Sequence, residues 1–210
     1  MSTRDWHTVQ RKLVGFVCAL GLAASLSIRA QAPVPGEEEL LNSERIEQVY
    51  GSYGIEVVSS TPGLRVSRLY STHDERQICR TFAVVVYTGE IDAAIAAEHA
   101  AVLDGSSIGA TFAARGWGVR KAHRYFGEIE STPRLEALMG GIEPGRLAVH
   151  IYALSVGRDD RELDYASVVE VHHPDYLGLA DLRRIYGDGN LPPVDETVLR
   201  LLELTAEQVR

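Results

Sequence analysis

The densest run of chemically capable side chains in this sequence is Glu170-Val171-His172-His173-Pro174-Asp175-Tyr176. In a β-strand, residues two apart share a face, so Glu170 and His172 project together while Val169, Val171 and His173 face the other way. A carboxylate beside an imidazole can exchange protons or hold a cation. Residues 146–156 offer His150 and Tyr152, again on one shared face. Four such groups on a hairpin could make a Zn2+ or Fe2+ site. No recognised spacing such as H-E-x-x-H is present, however. The expectation is therefore a solvated sheet edge with hydrogen-bonded histidines, and no metal or other cofactor.

The remaining histidines read more simply. His99 falls on the apolar stripe of a helical segment with Ile95 and Val102, as a satisfied core histidine does. His123 and Tyr125 share a strand face with Trp117 and Val119, where they line a pocket or pack. His73 lies in a polar loop. Gly105-Ser106-Ser107-Ile108-Gly109 brings backbone donors to a helix start, a setting that suits an anion. Ser106 and Ser107 lack the G-x-S-x-G elbow, and there is no P-loop or dinucleotide fingerprint.

The elements that must position these groups follow from periodicity and punctuation. Residues 37–50 suit an amphipathic helix, ended by Gly51 and Gly54. Residues 55–60 and 64–71 read as strands joined by the Thr61-Pro62-Gly63 turn. Residues 78–88 form a β-rich run whose Ala83-Val84-Val85-Val86 core predicts a central strand buried on both faces. Residues 91–103 are helical; Ser106 or Ser107 can cap a second helix through Ala114. A strand from Gly116 and Gly118 to Phe126 precedes a short helix over 133–139. Residues 146–156 and 162–172 are strands joined by the Gly157-Arg158-Asp159-Asp160 turn, and helices follow near 179–185 and 195–207. Strands that are mostly hairpin-connected, with helices between and after them, define an α+β class. The expectation is a single antiparallel sheet of about six strands with helices inserted and packed on it.

Four local matches in this order resemble the chorismate lyase-like fold, shared by bacterial chorismate–pyruvate lyases and the ligand-sensing domains of some transcription regulators. They are Leu64-Arg65-Val66-Ser67-Arg68-Leu69 before a polar turn, Arg80-Thr81-Phe82-Ala83-Val84, Ser107-Ile108-Gly109-Ala110-Thr111-Phe112 at a helix start, and Glu170 four residues before Pro174. The order of elements agrees from about residue 40 to 176. The resemblance implies that an early-strand arginine binds a carboxylate, that a backbone group at the Leu-Gly-like turn helps hold the ligand, and that the late-strand glutamate does acid–base work. Carried over, these are Arg65 (with Arg68 as the alternative if the loop is gapped), Ile108 with Gly109, and Glu170 as the catalytic candidate. His172, on the Glu170 face, joins the ligand-binding set. The chemistry suits the residue types: arginine grips a carboxylate by two parallel hydrogen bonds, and a partly buried carboxyl can act as an acid near neutrality. The chain departs from the lyases in carrying His172 and His173 after the glutamate, and in its C-terminal helices.

The N-terminus sets the compartment. Arg4, Arg11 and Lys12 precede an uncharged stretch over 13–28, followed by Arg29-Ala30-Gln31-Ala32. A basic start, an apolar middle and an A-x-A site form a secretory signal. Residues 1–32 are thus expected to be a cleaved signal peptide, 33–39 a mobile leader and 40–210 one domain. Four of the 21 bases and one of the 29 acids lie in the signal, which leaves 17 against 28 and a net charge of −11. That balance excludes nucleic acid and anionic membranes as partners. One cysteine, Cys79, remains, so no internal disulfide staples the exported domain. Taken together, the sequence leads to an exported, periplasmic or secreted protein whose pocket binds a small carboxylate, aromatic acids included. The alternatives are an exported lyase that eliminates pyruvate from a chorismate-type enolpyruvyl ether, and an envelope structural or interaction protein without ligand chemistry.

Overall fold

The computed structural model describes residues 40–187 and 191–210. The expected signal peptide and leader lie outside them, as do the first residues of the expected helix over 37–50. Helix α1 (Asn42–Tyr50) begins where the Glu44 carboxylate accepts a hydrogen bond from the backbone N–H of Leu41 at 2.8 Å. It stops at Gly51, whose φ of 72° is a left-handed geometry that glycine adopts without a Cβ penalty. Strands β1 (Gly54–Thr61), β2 (Leu64–His73) and β3 (Arg76–Tyr87) follow as a meander. A single 3-10 turn (Ala93–Ile95), capped by the Asp92 carboxylate, leads into α2 (Ala96–Leu103), so regular helix starts later than periodicity alone predicts. Helix α3 (Ile108–Ala113) has Ser107 at its N-cap position, without a hydrogen bond from the serine side chain to the helix. Then come β4 (Gly118–Glu130), α4 (Pro133–Leu138), β5 (Arg146–Arg158), β6 (Arg161–His172), α5 (Leu179–Tyr186) and α6 (Glu196–Gln208).

All six strands form one open antiparallel sheet in the order β1-β2-β3-β6-β5-β4. The fold is α+β, as the hairpin pattern predicts. Each half is helix followed by a three-strand meander, and the two meanders join through β3 and β6. These two strands lie at the centre of the sheet, which is why β3 is a nearly continuous run of buried residues rather than an alternating one. Because a direct cross-strand partner projects to the same face, register alone sorts the side chains. Phe82, Val84, Val149, Ile151, Val169 and Val171 share one face and pack under α4 and α6. Val85, Tyr152, Leu154 and Val168 share the other face and pack under α2 and α3, with α1 and α5 covering its remainder. Phe82, Val84, Val149, Val169 and Val171 are each fully buried, and such burial contributes about 1.5–3 kcal/mol per side chain.

One irregularity matters for the site. A bulge in β4 shifts its register between His123, opposite Tyr152, and Tyr125, opposite Ile151. An extra residue flips the alternation beyond it. His123 therefore stays on the face of Tyr152, whereas Tyr125 turns to the other face and packs with the α4/α6 core. The expectation that His123 and Tyr125 share a face is corrected by this bulge. No helix among the described residues is long and apolar enough to cross a membrane.

Candidate functional site

Ladder register brings the polar groups together. Glu170 lies opposite Ala83 on one side and His150 on the other, and Thr81 lies opposite His172. Glu170, His150 and His172 consequently occupy one face at the centre of the sheet. They are not a solvated edge: Glu170 is 4% exposed, His172 1% and His150 fully buried. Burial on this scale requires that polar atoms find partners. Glu170 Oε1 accepts hydrogen bonds from Asn42 Nδ2 at 3.0 Å and from the Tyr152 hydroxyl at 3.2 Å. Asn42 is oriented in turn by the Tyr176 hydroxyl, which donates to its Oδ1 at 2.6 Å, while its Nδ2 also reaches Thr81 Oγ1. Helix α1 thus pins the glutamate through its first residue. His172 Nδ1 shares a hydrogen bond with Thr81 Oγ1 at 3.1 Å, and His150 Nε2 shares one with His123 Nδ1 at 2.8 Å. The inner nitrogens, His150 Nδ1 and His172 Nε2, have no hydrogen-bond partner among the described residues and stand 3.8 and 4.0 Å from Glu170 Oε2.

Electrostatics follow from that burial. Desolvation holds His172 down at about 4 and pushes His150 well below the ordinary histidine value. Both imidazoles are neutral at physiological pH. Tyr152 is driven well above the usual phenol range by burial first and by the Glu170 charge second, so it is a donor throughout.

A cavity of about 70 Å³ lies on the same face. Its walls include Glu170 and Tyr152 from the sheet, Asn42 and Leu41 at the start of α1, and Ile108 and Gly109 from α3. Gly109 sits at a close approach: a Cβ there would overlap the end of the Leu41 side chain, which would have to shift to make room. Lys121, also in the wall, is oriented against the usual habit of lysine. Its stem is only partly covered, yet its ammonium is buried and has no hydrogen-bond partner among the described residues. Lysine ordinarily buries the stem and keeps the charged head in water. The Tyr152 ring lies 5.1 Å from Nζ, and desolvation lowers the Lys121 pKa. An open groove of about 730 Å³ along the β4 and β5–β6 turns shares Leu41, Val119 and Lys121 with the cavity. Those three side chains therefore stand between the cavity and the groove.

Among the residues expected from sequence, the structure brings Glu170, Ile108 and Gly109 to this cavity, with His172 next to Glu170 on its face. Arg65 is on that face too, roughly 12 Å from Glu170 by strand spacing and register. Its guanidinium is committed elsewhere: Nη1 donates to the Ser106 carbonyl at 3.0 Å and Nη2 to the Gly105 carbonyl at 3.4 Å. At 1% exposed, Arg65 clamps the loop between α2 and α3 and does not line the cavity. Arg68 pairs with Phe82 and so projects from the opposite face, where Glu56 and Gln77 hold it. Sequence reading missed Lys121 and Asn42. Lys121 left a signal: it alternates with Trp117, Val119 and His123, a charge on an otherwise apolar stripe. Asn42 left none, because a helix N-terminal asparagine is ordinary. His99 is satisfied, with Nδ1 at 3.0 Å from the Tyr165 hydroxyl, but it is only half-buried and lies at the edge of the core rather than within it. No protein-family model matches the chain, and no curated protein sequence matches it.

Proposed function

We propose that this domain binds a small carboxylic acid in the cavity beneath α1 and α3, and that it does so outside the cytoplasm. The observation that carries the reading is the buried Lys121 ammonium, which has no hydrogen-bond partner among the described residues and lies in the cavity wall. A buried ammonium without a hydrogen-bond partner is costly, a cost only partly offset by the Glu170 charge and the Tyr152 ring, and an anion that reaches it recovers more of it. The resemblance to chorismate lyase-like proteins points the same way, with Lys121 taking the anion-anchoring part that the resemblance assigns to Arg65. A cavity of about 70 Å³ suits an acid of a few heavy atoms. An aromatic acid enters when Leu41 swings off Gly109 and opens the cavity toward the groove. The export signal over residues 1–32 supports the compartment.

Ligand-observed NMR on the purified protein against acetate, pyruvate, 4-hydroxybenzoate and chorismate tests the binding. Lys121→Met keeps the stem and removes the charge. It should weaken binding by about 2–4 kcal/mol, since one partner of a desolvated charge pair is lost. Absence of binding by every acid in the wild type refutes the reading and leaves an envelope structural role. A second reading, lyase chemistry, is favoured by the Glu170 carboxyl in the cavity wall. It requires that chorismate be converted and that Glu170→Gln spare binding while abolishing turnover.

A further inference from the structure

We propose that His150 Nδ1, His172 Nε2 and Glu170 Oε2 form a divalent metal site of the transition-metal class, taking Zn2+, Co2+, Fe2+ or Mn2+. The three ligand atoms lie within 4.8 Å of one another, and all three residues are buried. Each ligand is held from behind. The Thr81 hydroxyl fixes the outer nitrogen of His172, His123 fixes that of His150, and Asn42 and Tyr152 occupy the other oxygen of Glu170. Outer partners of this kind orient ligating groups and set the imidazole tautomer. The tautomers that put protons on the outer nitrogens leave two imidazole lone pairs and a carboxylate oxygen facing one point. Three acceptors converging without a donor repel one another, and a cation relieves that repulsion.

The dimensions permit it. Atoms separated by 3.8, 4.0 and at most 4.8 Å lie roughly 2.5 Å from a common centre. Zinc–nitrogen and zinc–oxygen bonds are ~2.0–2.2 Å, so each side chain closes by roughly 0.4 Å on binding. A water needs ~2.8 Å to each acceptor, so it would have to sit off the plane of the three atoms, and it could donate to only two of them. Two imidazoles and one carboxylate select borderline metals over Ca2+ and Mg2+, which prefer oxygen donors. Ligation needs neutral imidazoles, whose inner nitrogens are the ones left without a hydrogen-bond partner among the described residues. The nearby charges of Lys121 and Arg45 oppose a cation, which tempers affinity and favours an anion as an additional ligand. Three protein ligands leave room for one. The site does not depend on the carboxylate reading, since the metal binds whether or not the cavity takes an acid.

The test uses the protein stripped with a chelator, reloaded in turn with Zn2+, Co2+, Fe2+ and Mn2+ in the absence of any acid, desalted and analysed for metal. The site requires one ion per chain, visible d–d bands with Co2+, and a Tm rise of about 5 °C or more at saturating metal. His172→Ala and His150→Ala should each abolish the bound metal and the Tm rise, while His99→Ala retains both. If either site variant fails to fold, the Co2+ spectrum and stoichiometry of the wild type still decide the matter. Less than ~0.1 ion per chain for all four metals with no Tm shift overturns the proposal. So does stoichiometric binding that survives both site substitutions, because the ion then lies elsewhere.

Discussion

Arg65 separates two accounts of the same residue. A carboxylate-gripping arginine is a functional group whose loss spares the fold. In this structure the guanidinium, 1% exposed, instead donates to the carbonyls of Gly105 and Ser106 and ties the α2–α3 loop to β2. Arg65→Ala leaves two carbonyls of that loop without their charged donor and a void where the side chain lay. Hydrogen bonds to charged groups are worth about 1.5–3 kcal/mol each, and losing both, offset by relief of the buried charge, should cost about 3 kcal/mol. With a urea m-value of about 2 kcal/mol/M for a domain of this size, the unfolding midpoint should fall by about 1.5 M. Arg65→Lys keeps the charge but cannot span both carbonyls, so its midpoint should lie between the two. Urea denaturation followed by circular dichroism reads all three proteins. An unchanged midpoint in Arg65→Ala, accompanied by loss of acid binding, would refute the clamp and restore Arg65 as the ligand anchor.

Burial pushes the Cys79 thiol up to about 12, so at pH 8 its thiolate fraction is roughly three orders of magnitude below that of a free cysteine. Labelling of the native protein by a disulfide reagent should be slower than that of the urea-unfolded chain by at least that factor, and comparable rates would contradict the buried placement. Gly109→Ala forces Leu41 out of its seat, and the overpacking, partly offset by better helix propensity, should cost about 1 kcal/mol, or ~2–4 °C in Tm. An unchanged or raised Tm would show that Leu41 is not held there. Burial lowers His99, so below pH 6.5 the unfolded chain takes up its proton before the folded one does, and stability falls as pH drops. His99→Gln should flatten that part of the stability–pH profile relative to wild type; identical profiles would mean that His99 titrates alike in both states.

Much of the scaffold was legible because hairpins announce themselves. The Thr61-Pro62-Gly63 and Gly157–Asp160 turns, flanked by alternating or continuous apolar runs, locate four of the six strands. The valine cluster of β3 reveals a strand with no solvent face. Period two also placed Glu170 with His172 and His150 with Tyr152. Whether those pairs meet depends on register between strands, which local sequence does not encode; the β3–β6 ladder joins residues about 80 to 90 apart. Burial was misjudged for the same reason, since Asn42, which bonds Glu170 from above, comes from a segment far from it in sequence. The β4 bulge defeated simple alternation at Tyr125. Arg65 shows that a residue type and spacing can be matched while its partner, a pair of carbonyls forty residues on, remains invisible until the chain folds.

The central claim is that the Lys121 ammonium anchors an acid in the cavity. Calorimetric titration with a bound acid and with its neutral amide, on the wild type and on Lys121→Met, tests it most directly. The account predicts that wild type prefers the acid over the amide by about 2 kcal/mol or more, as a desolvated charge pair requires, and that Lys121→Met abolishes this preference while leaving amide affinity nearly unchanged. Equal affinity for acid and amide in the wild type, or a preference that persists in Lys121→Met, would contradict it.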